Sequence, residues 1–188
     1  DPDFNSPEVN VSGLTENIYT PSVLADENYS WRVRAVDNAG NVGNWSSVWT
    51  VLIDTIAPAA PSLISPEDGT TTNDNAPTFR WTELTDASGM TYILHVDNDP
   101  SFTSPEINVS GLADNAYTPT TALADENYSW HVRAVDGAGN LGDWSTVWTL
   151  FIDTIAPAIP SQLEPFDSSL TNDNTPTFRW TAVIDPSG

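Results

Sequence analysis

The chain has no cysteine and no lysine, and only two histidines and one methionine among its 188 residues. Without cysteine there is no disulfide framework and no thiolate metal site. A core of this size needs no covalent staple, so secretion stays open. No apolar run is long enough to cross a bilayer, and no signal peptide or lipidation motif is visible. The five cations are all arginine (Arg32, Arg34, Arg80, Arg133 and Arg179), set against 26 acidic residues, for a net charge of −21. Contacts to phosphate need cations, so this balance argues against nucleic acid and against anionic lipid surfaces, and no direct membrane insertion is expected. It suits bound divalent cations, and it equally suits solubility outside a cell. Catalytic signatures are missing too: there is no activated-serine motif, no HExxH and no P-loop, so no enzyme activity is expected.

Aromatic residues and proline are plentiful: 8 Trp, 6 Phe, 5 Tyr and 15 Pro, with only 16% charged residues. That is the composition of a packed chain rather than a disordered one. Its organising stretch is ENYSWHVRAVDGAGN, residues 126–140, which repeats ENYSWRVRAVDNAGN, residues 27–41. Tyr128, Trp130, Val132 and Ala134 alternate with Ser129, His131 and Arg133. Such a period of two predicts a strand with one face on a core. It runs into an Asp-Gly-Ala-Gly-Asn turn.

The repetition extends along the chain. Residues 4–14 recur as 102–112, 24–58 as 123–157, and 72–89 as 171–188, giving a repeat of about 99 residues. The boundary motif, residues 54–61, recurs as 153–160 and carries paired prolines that make a short, stiff connection. This divides the chain into the C-terminal part of one repeat (1–57), a complete repeat (58–156) and the N-terminal part of a third (157–188). The stretch 90–98 occurs once only, so an excerpt from a longer array is expected. The alternative is a polymer whose terminal part-domains are completed by identical neighbouring chains.

Within the complete repeat, alternation and turn signals predict seven strands, near 62–65, 77–84, 91–97, 106–109, 116–118, 128–134 and 145–152. No window has a helical period. The fold class is therefore all-β: tandem seven-stranded sandwiches. Trp81 with Tyr92, and Leu123 followed by Tyr128 at the start of the sixth strand, resemble a fibronectin type III domain. The strings VRAVDxAGNxGxWS and IDTxAPxxP resemble the tandem Ig-like and fibronectin-like repeats of large bacterial and archaeal surface proteins. The resemblance covers the whole chain. It implies an extracellular or cell-surface setting and, at the repeat junctions, calcium.

The calcium candidates are Asp37, Asn41, Asp136 and Asn140 after the sixth strand, Asp54 and Asp153 at the strand exit, and Asp86 and Asp185 in the repeat that follows. Calcium takes about 6–8 hard oxygen ligands, which such turns can offer. The plainer reading is that these side chains shape turns through bonds to the backbone. Gly137 to Gly142 fits G-x-G-x-x-G, but leads into a strand rather than a helix, so no dinucleotide site is expected. Five sequons, at Asn10, Asn28, Asn44, Asn108 and Asn127, are candidate glycosylation sites. Asn10 and Asn108 are the first choices. Asn28 and Asn127 are expected in a tight, less accessible turn. His95 and His131 are expected on the outer face of neighbouring strands, exposed to solvent. Trp45 and Trp144 either cover the end of the sandwich or form a sugar-stacking platform.

These features give two function classes. The first is a structural segment of a stalk, sheath, adhesin shaft or filament, whose partners are neighbouring repeats or identical chains. The alternative is a glycan- or protein-binding module of an adhesin or secreted enzyme.

Overall fold

A computed structural model describes residues 3–185, and among them there is no helix, hence none to cross a membrane. Twelve strands form in chain order. β1 (Asn28–Trp31) and β2 (Trp49–Leu52) pair with each other. The central region contains β3 (Leu63–Ser65), β4 (Thr70–Thr72), β5 (Phe79–Trp81), β6 (Met90–Asp97) and β7 (Ile107–Leu112). It continues with β8 (Ala116–Tyr117), β9 (Asn127–Asp136) and β10 (Trp148–Ile152). β11 (Gln162–Glu164) and β12 (Arg179–Trp180) pair at the other end.

The central strands make two sheets, β4-β10-β9-β6-β7 and β3-β5-β8. They face one another through ring contacts. Phe79 on β5 meets Trp130 on β9 at 5.1 Å, and Trp81 on β5 meets Tyr92 on β6 at 5.4 Å, both edge-on. Apolar burial, the main force holding such a layer pair, is concentrated here. Phe79, Trp81, Leu94, Val96, Trp130, Val132 and Ala134 have no exposed surface. The alternation of β5, β6 and β9 puts these side chains inward, as their sequences require.

Three details depart from the pattern in the sequence. Beyond β3 and Pro66, the chain turns at Gly69 (φ +75°) and adds an unpredicted strand, β4, which runs parallel to β10 in the opposite sheet. β5 is shorter than expected, because past Trp81 the backbone leaves the ladder and Leu84 N–H donates instead to the Tyr92 hydroxyl at 2.7 Å. β7 extends to Leu112, pairing it with Tyr92.

The flanking pairs reproduce the central registers residue for residue. Asn28↔Leu52 matches Asn127↔Phe151, and Gln162↔Trp180 matches Leu63↔Trp81. Their faces differ in cover. Trp31, the counterpart of fully buried Trp130, is 45% exposed, since no second sheet faces it among the described residues.

Candidate functional site

The turn after β9 is held by its first and last residues. Asn140 N–H donates to Asp136 Oδ1 at 2.8 Å, and Asn140 Nδ2 donates to Asp136 Oδ2 at 2.8 Å. The first copy is built alike, with Asn41 N–H and Nδ2 donating to the two oxygens of Asp37 at 2.8 and 2.7 Å. Asn41, through its side chain first, holds the Asp37 carboxyl below the usual carboxylate range. Both carboxylates thus serve their own turns, as side-chain-to-backbone turn chemistry requires. Gly137 to Gly142 precedes a strand, β10, and among the described residues there is no helix to receive a phosphate.

The first junction gathers residues from both sides. Asp26, Leu52, Ile53, Asp54 and Ile56 face Asp86 and Ala87 across a cavity of ≈ 220 Å³. Asp26 accepts bonds from Thr55 N–H and Oγ1, Asp54 Oδ1 accepts from Ile56 N–H at 3.2 Å, and Asp86 Oδ1 accepts from Ser88 N–H and Oγ at 2.7 Å. Ser88 lowers the Asp86 pKa. Asn140 joins this junction by donating from Nδ2 to the Asp54 carbonyl at 3.0 Å. Of the sequence candidates, then, Asp54, Asp86, Asn140 and, through Asn140, Asp136 are brought together, while Asp37 and Asn41 bond within their own turn. Asp153, the counterpart of Asp54, is 8% exposed; its Oδ1 accepts from Ile155 N–H, and its buried Oδ2 has no hydrogen-bond partner among the described residues. Asp185 lies past β12, at the third repeat's equivalent of Asp86. The donors are the hard oxygens that calcium takes. Among the described residues, however, no three acidic or histidine side chains are grouped so as to hold a metal ion.

A second constellation lies on the outer face of β6 and β9, denser than strand alternation alone suggests. Phe102, His131 and Trp144 stack in a pile: Phe102 to His131 is 3.8 Å at 9°, and His131 to Trp144 is 3.8 Å at 8°. Arg133 closes the pile over Trp144 at 4.6 Å. Phe102 reaches it from a left-handed backbone (φ 52°), a conformation that non-glycine residues rarely adopt. The first copy repeats the arrangement with Phe4, also left-handed, Arg32, Trp45 and Arg34. Cation–π attraction is the common force.

The histidines correct one expectation. They are neighbours, with His131 Nε2 and His95 Nδ1 3.3 Å apart, but His131 is only 8% exposed. The loop bearing Phe102 and the one bearing Trp144 cover that part of the outer face. Burial, then His95 and Arg133, push the His131 pKa down to about 4. Burial and Arg133 lower His95 as well. Trp144 has His131 stacked on its ring and Arg133 over it, while Trp45 in the first copy is 45% exposed. Trp148 meets Trp130 edge-on at 5.9 Å. The five sequon asparagines, Asn10, Asn28, Asn44, Asn108 and Asn127, are all exposed. Asn28 and Asn127 open strands instead of lying in a closed turn, which leaves their side chains in solvent.

Comparison with known proteins adds context to this geometry. The sequence pattern of the bacterial Ig-like domain matches residues 58–154. Exoglucanase A of Cellulomonas fimi is 33% identical over 197 residues, covering 100% of this chain and 20% of its own length. Exoglucanase B of the same organism is 28% identical over 188 residues, 94% of this chain and 16% of its own length. Chitinase A1 of Niallia circulans is 31% identical over 140 residues, 70% of this chain and 18% of its own length. The chain therefore spans a fifth or less of the relatives it matches. Among solved structures, an Fn3-like protein from Clostridium thermocellum is similar at 19% identity and a TM-score of 0.39, over 54% of this chain and 99% of that one.

Proposed function

Because this chain belongs to the bacterial Ig-like domain family, we propose that it is a non-catalytic accessory segment of an extracellular, polysaccharide-degrading protein, and that its work is to space and orient the parts it joins. The observation that carries this reading is the extent of the matches. Glucanases and a chitinase align with most or all of this chain, yet only over a fifth or less of their own length. Glucan and chitin polymers are too large to enter a cell, which supports an extracellular setting. The mechanics are those first expected of a shaft: rigid sandwiches, proline-bearing junctions and length set by repetition. A spacing role fits the complete repeat better than glycan binding, since its Trp144 is stacked within the pile. Calcium is proposed at the first junction, where Asp26, Asp54 and Asp86 would have to draw together around it.

The test is deletion of this segment from its parent protein. Activity on insoluble polymer is expected to fall while activity on soluble oligosaccharide holds. The isolated chain should not sediment with cellulose or chitin. Sedimentation that Trp144→Ala abolishes would favour the glycan-binding reading instead.

A further inference from the structure

The glycine positions of the turn after β9 single out a contact surface. Gly142 is buried, and its φ lies outside the left-handed range that favours glycine. Its need is spatial: a Cβ there would stand 2.6 Å from the Pro58 carbonyl oxygen and 3.3 Å from that of Ala134. The incoming linker occupies the space that a side chain would fill. Asn140 grips the same linker two residues earlier in the turn, through the bond to the Asp54 carbonyl. Gly137, on the other side, lies against the loop that carries Asp86. Its N–H donates to Ser88 Oγ and to the Gly89 carbonyl, both at 3.0 Å, and a Cβ would collide with the Ser88 carbonyl oxygen.

The first copy supplies a comparison. Gly43, the counterpart of Gly142, is exposed, and a Cβ on it would meet only the Ala35 carbonyl oxygen, at 3.4 Å. Neither backbone angle nor contact within the described residues asks for glycine there, although the sequence keeps it.

We propose that this turn is a docking seat for the Asp-Thr-Ile-Ala-Pro linker arriving from the repeat before it, and that the seat fixes the angle between successive sandwiches. Asn140 supplies a directional bond to the linker, and Gly142 supplies the room for its backbone. At 43 the first copy keeps the same room. The seat serves an enzyme-borne spacer and a surface shaft alike, so its failure would leave the choice between them untouched.

The cysteine-free chain allows a direct test. Cysteines replacing Ser47 and Thr120, both exposed, take spin labels on either side of the junction, and pulsed dipolar spectroscopy reads the distance between them. The 188-residue chain is expected to give one narrow distance. Gly142→Val should turn it into a broad spread, and Gly43→Val should leave it unchanged. Asn140→Ser, which lacks the donor to Asp54 but adds no bulk, should broaden it less. This milder variant keeps the test sound if Gly142→Val unfolds the central sandwich, which near-ultraviolet circular dichroism would report. A broad distance in the unmodified chain, or a narrow one in folded Gly142→Val, would overturn the proposal.

Discussion

His131 occupies the position that Arg32 holds in the first copy, and the exchange makes one of two matching piles sensitive to acid. In the first copy the Arg32 guanidinium lies over the Phe4 and Trp45 rings, 4.1 and 4.5 Å from their centroids. The His131 ring is buried and faces Arg133 and His95, so the folded protein takes up its proton only near about 4. Unfolded, the imidazole titrates near its ordinary value of 6.5. Between those values the unfolded chain binds more protons, so stability rises with pH. This contribution is complete above about 6.5 and is lost as pH falls toward about 4. Urea midpoints across that window should therefore drop with acid, and His131→Phe should flatten most of the slope while preserving the stack. His95, near Asp97 and Asn108 and shifted the same way, leaves the smaller remainder. Asp86 and Asp99, which Ser88 and Ser101 hold below the carboxylate range, titrate lower and do not obscure it. In the core, Trp130 is fully buried and its Nε1 has no partner. Trp130→Ala should cost about 3–5 kcal/mol through the cavity it leaves. Trp130→Phe should cost distinctly less, because it keeps a ring against Phe79 and removes an unsatisfied donor. Chemical denaturation of both variants checks the order.

Among the elements, the start of β9 is tied down by one hydroxyl. Ala124 N–H donates to Tyr128 Oη at 3.1 Å, and burial raises the pKa of that phenol, keeping it protonated. Tyr128→Phe leaves the amide without its acceptor, so a loss of about 1–3 kcal/mol is expected in urea at an unchanged denaturant slope. Such elements were legible to different degrees. β6 and β9 stand out in the sequence because their alternating residues meet a continuous core, and the observed inward set is the one their period selects. β4 was illegible: three threonines carry no alternation, and the strand exists because Gly69 turns the chain and Asp68 accepts from Thr149 N–H at 2.8 Å, a residue 81 positions away. The Asp–Asn turns could be read locally, since both partners lie within four residues. The contact between Asn140 and Asp54 could not, because it depends on how one repeat meets the next. The exposed placement expected for His131 failed for a related reason. Strand period gives the face of a side chain, but not whether a distant loop folds over that face, and here Phe102 and Trp144 do.

Over the whole molecule, charge is the dominant imbalance. Five arginines stand against 26 carboxylates, which leaves a net charge of −21. Net self-repulsion destabilises a compact state, and salt screens it over a Debye length of about 8 Å at physiological ionic strength. Sodium chloride should therefore raise the melting midpoint. The first junction adds a local term, since Asp26, Asp54 and Asp86 line a single cavity there. Calcium, at the same ionic strength, should raise the midpoint further by binding the folded state there, and chelator should remove only that increment. Asp54→Asn takes away one of the three charges but leaves the rest of the chain alike. It should abolish the calcium increment and preserve the sodium response. Equal rises in the two salts, with no effect of Asp54→Asn, would mean that the junction carboxylates are ordinary turn formers. Stiffness would then rest on the prolines, the linker seat and the packing of each sandwich.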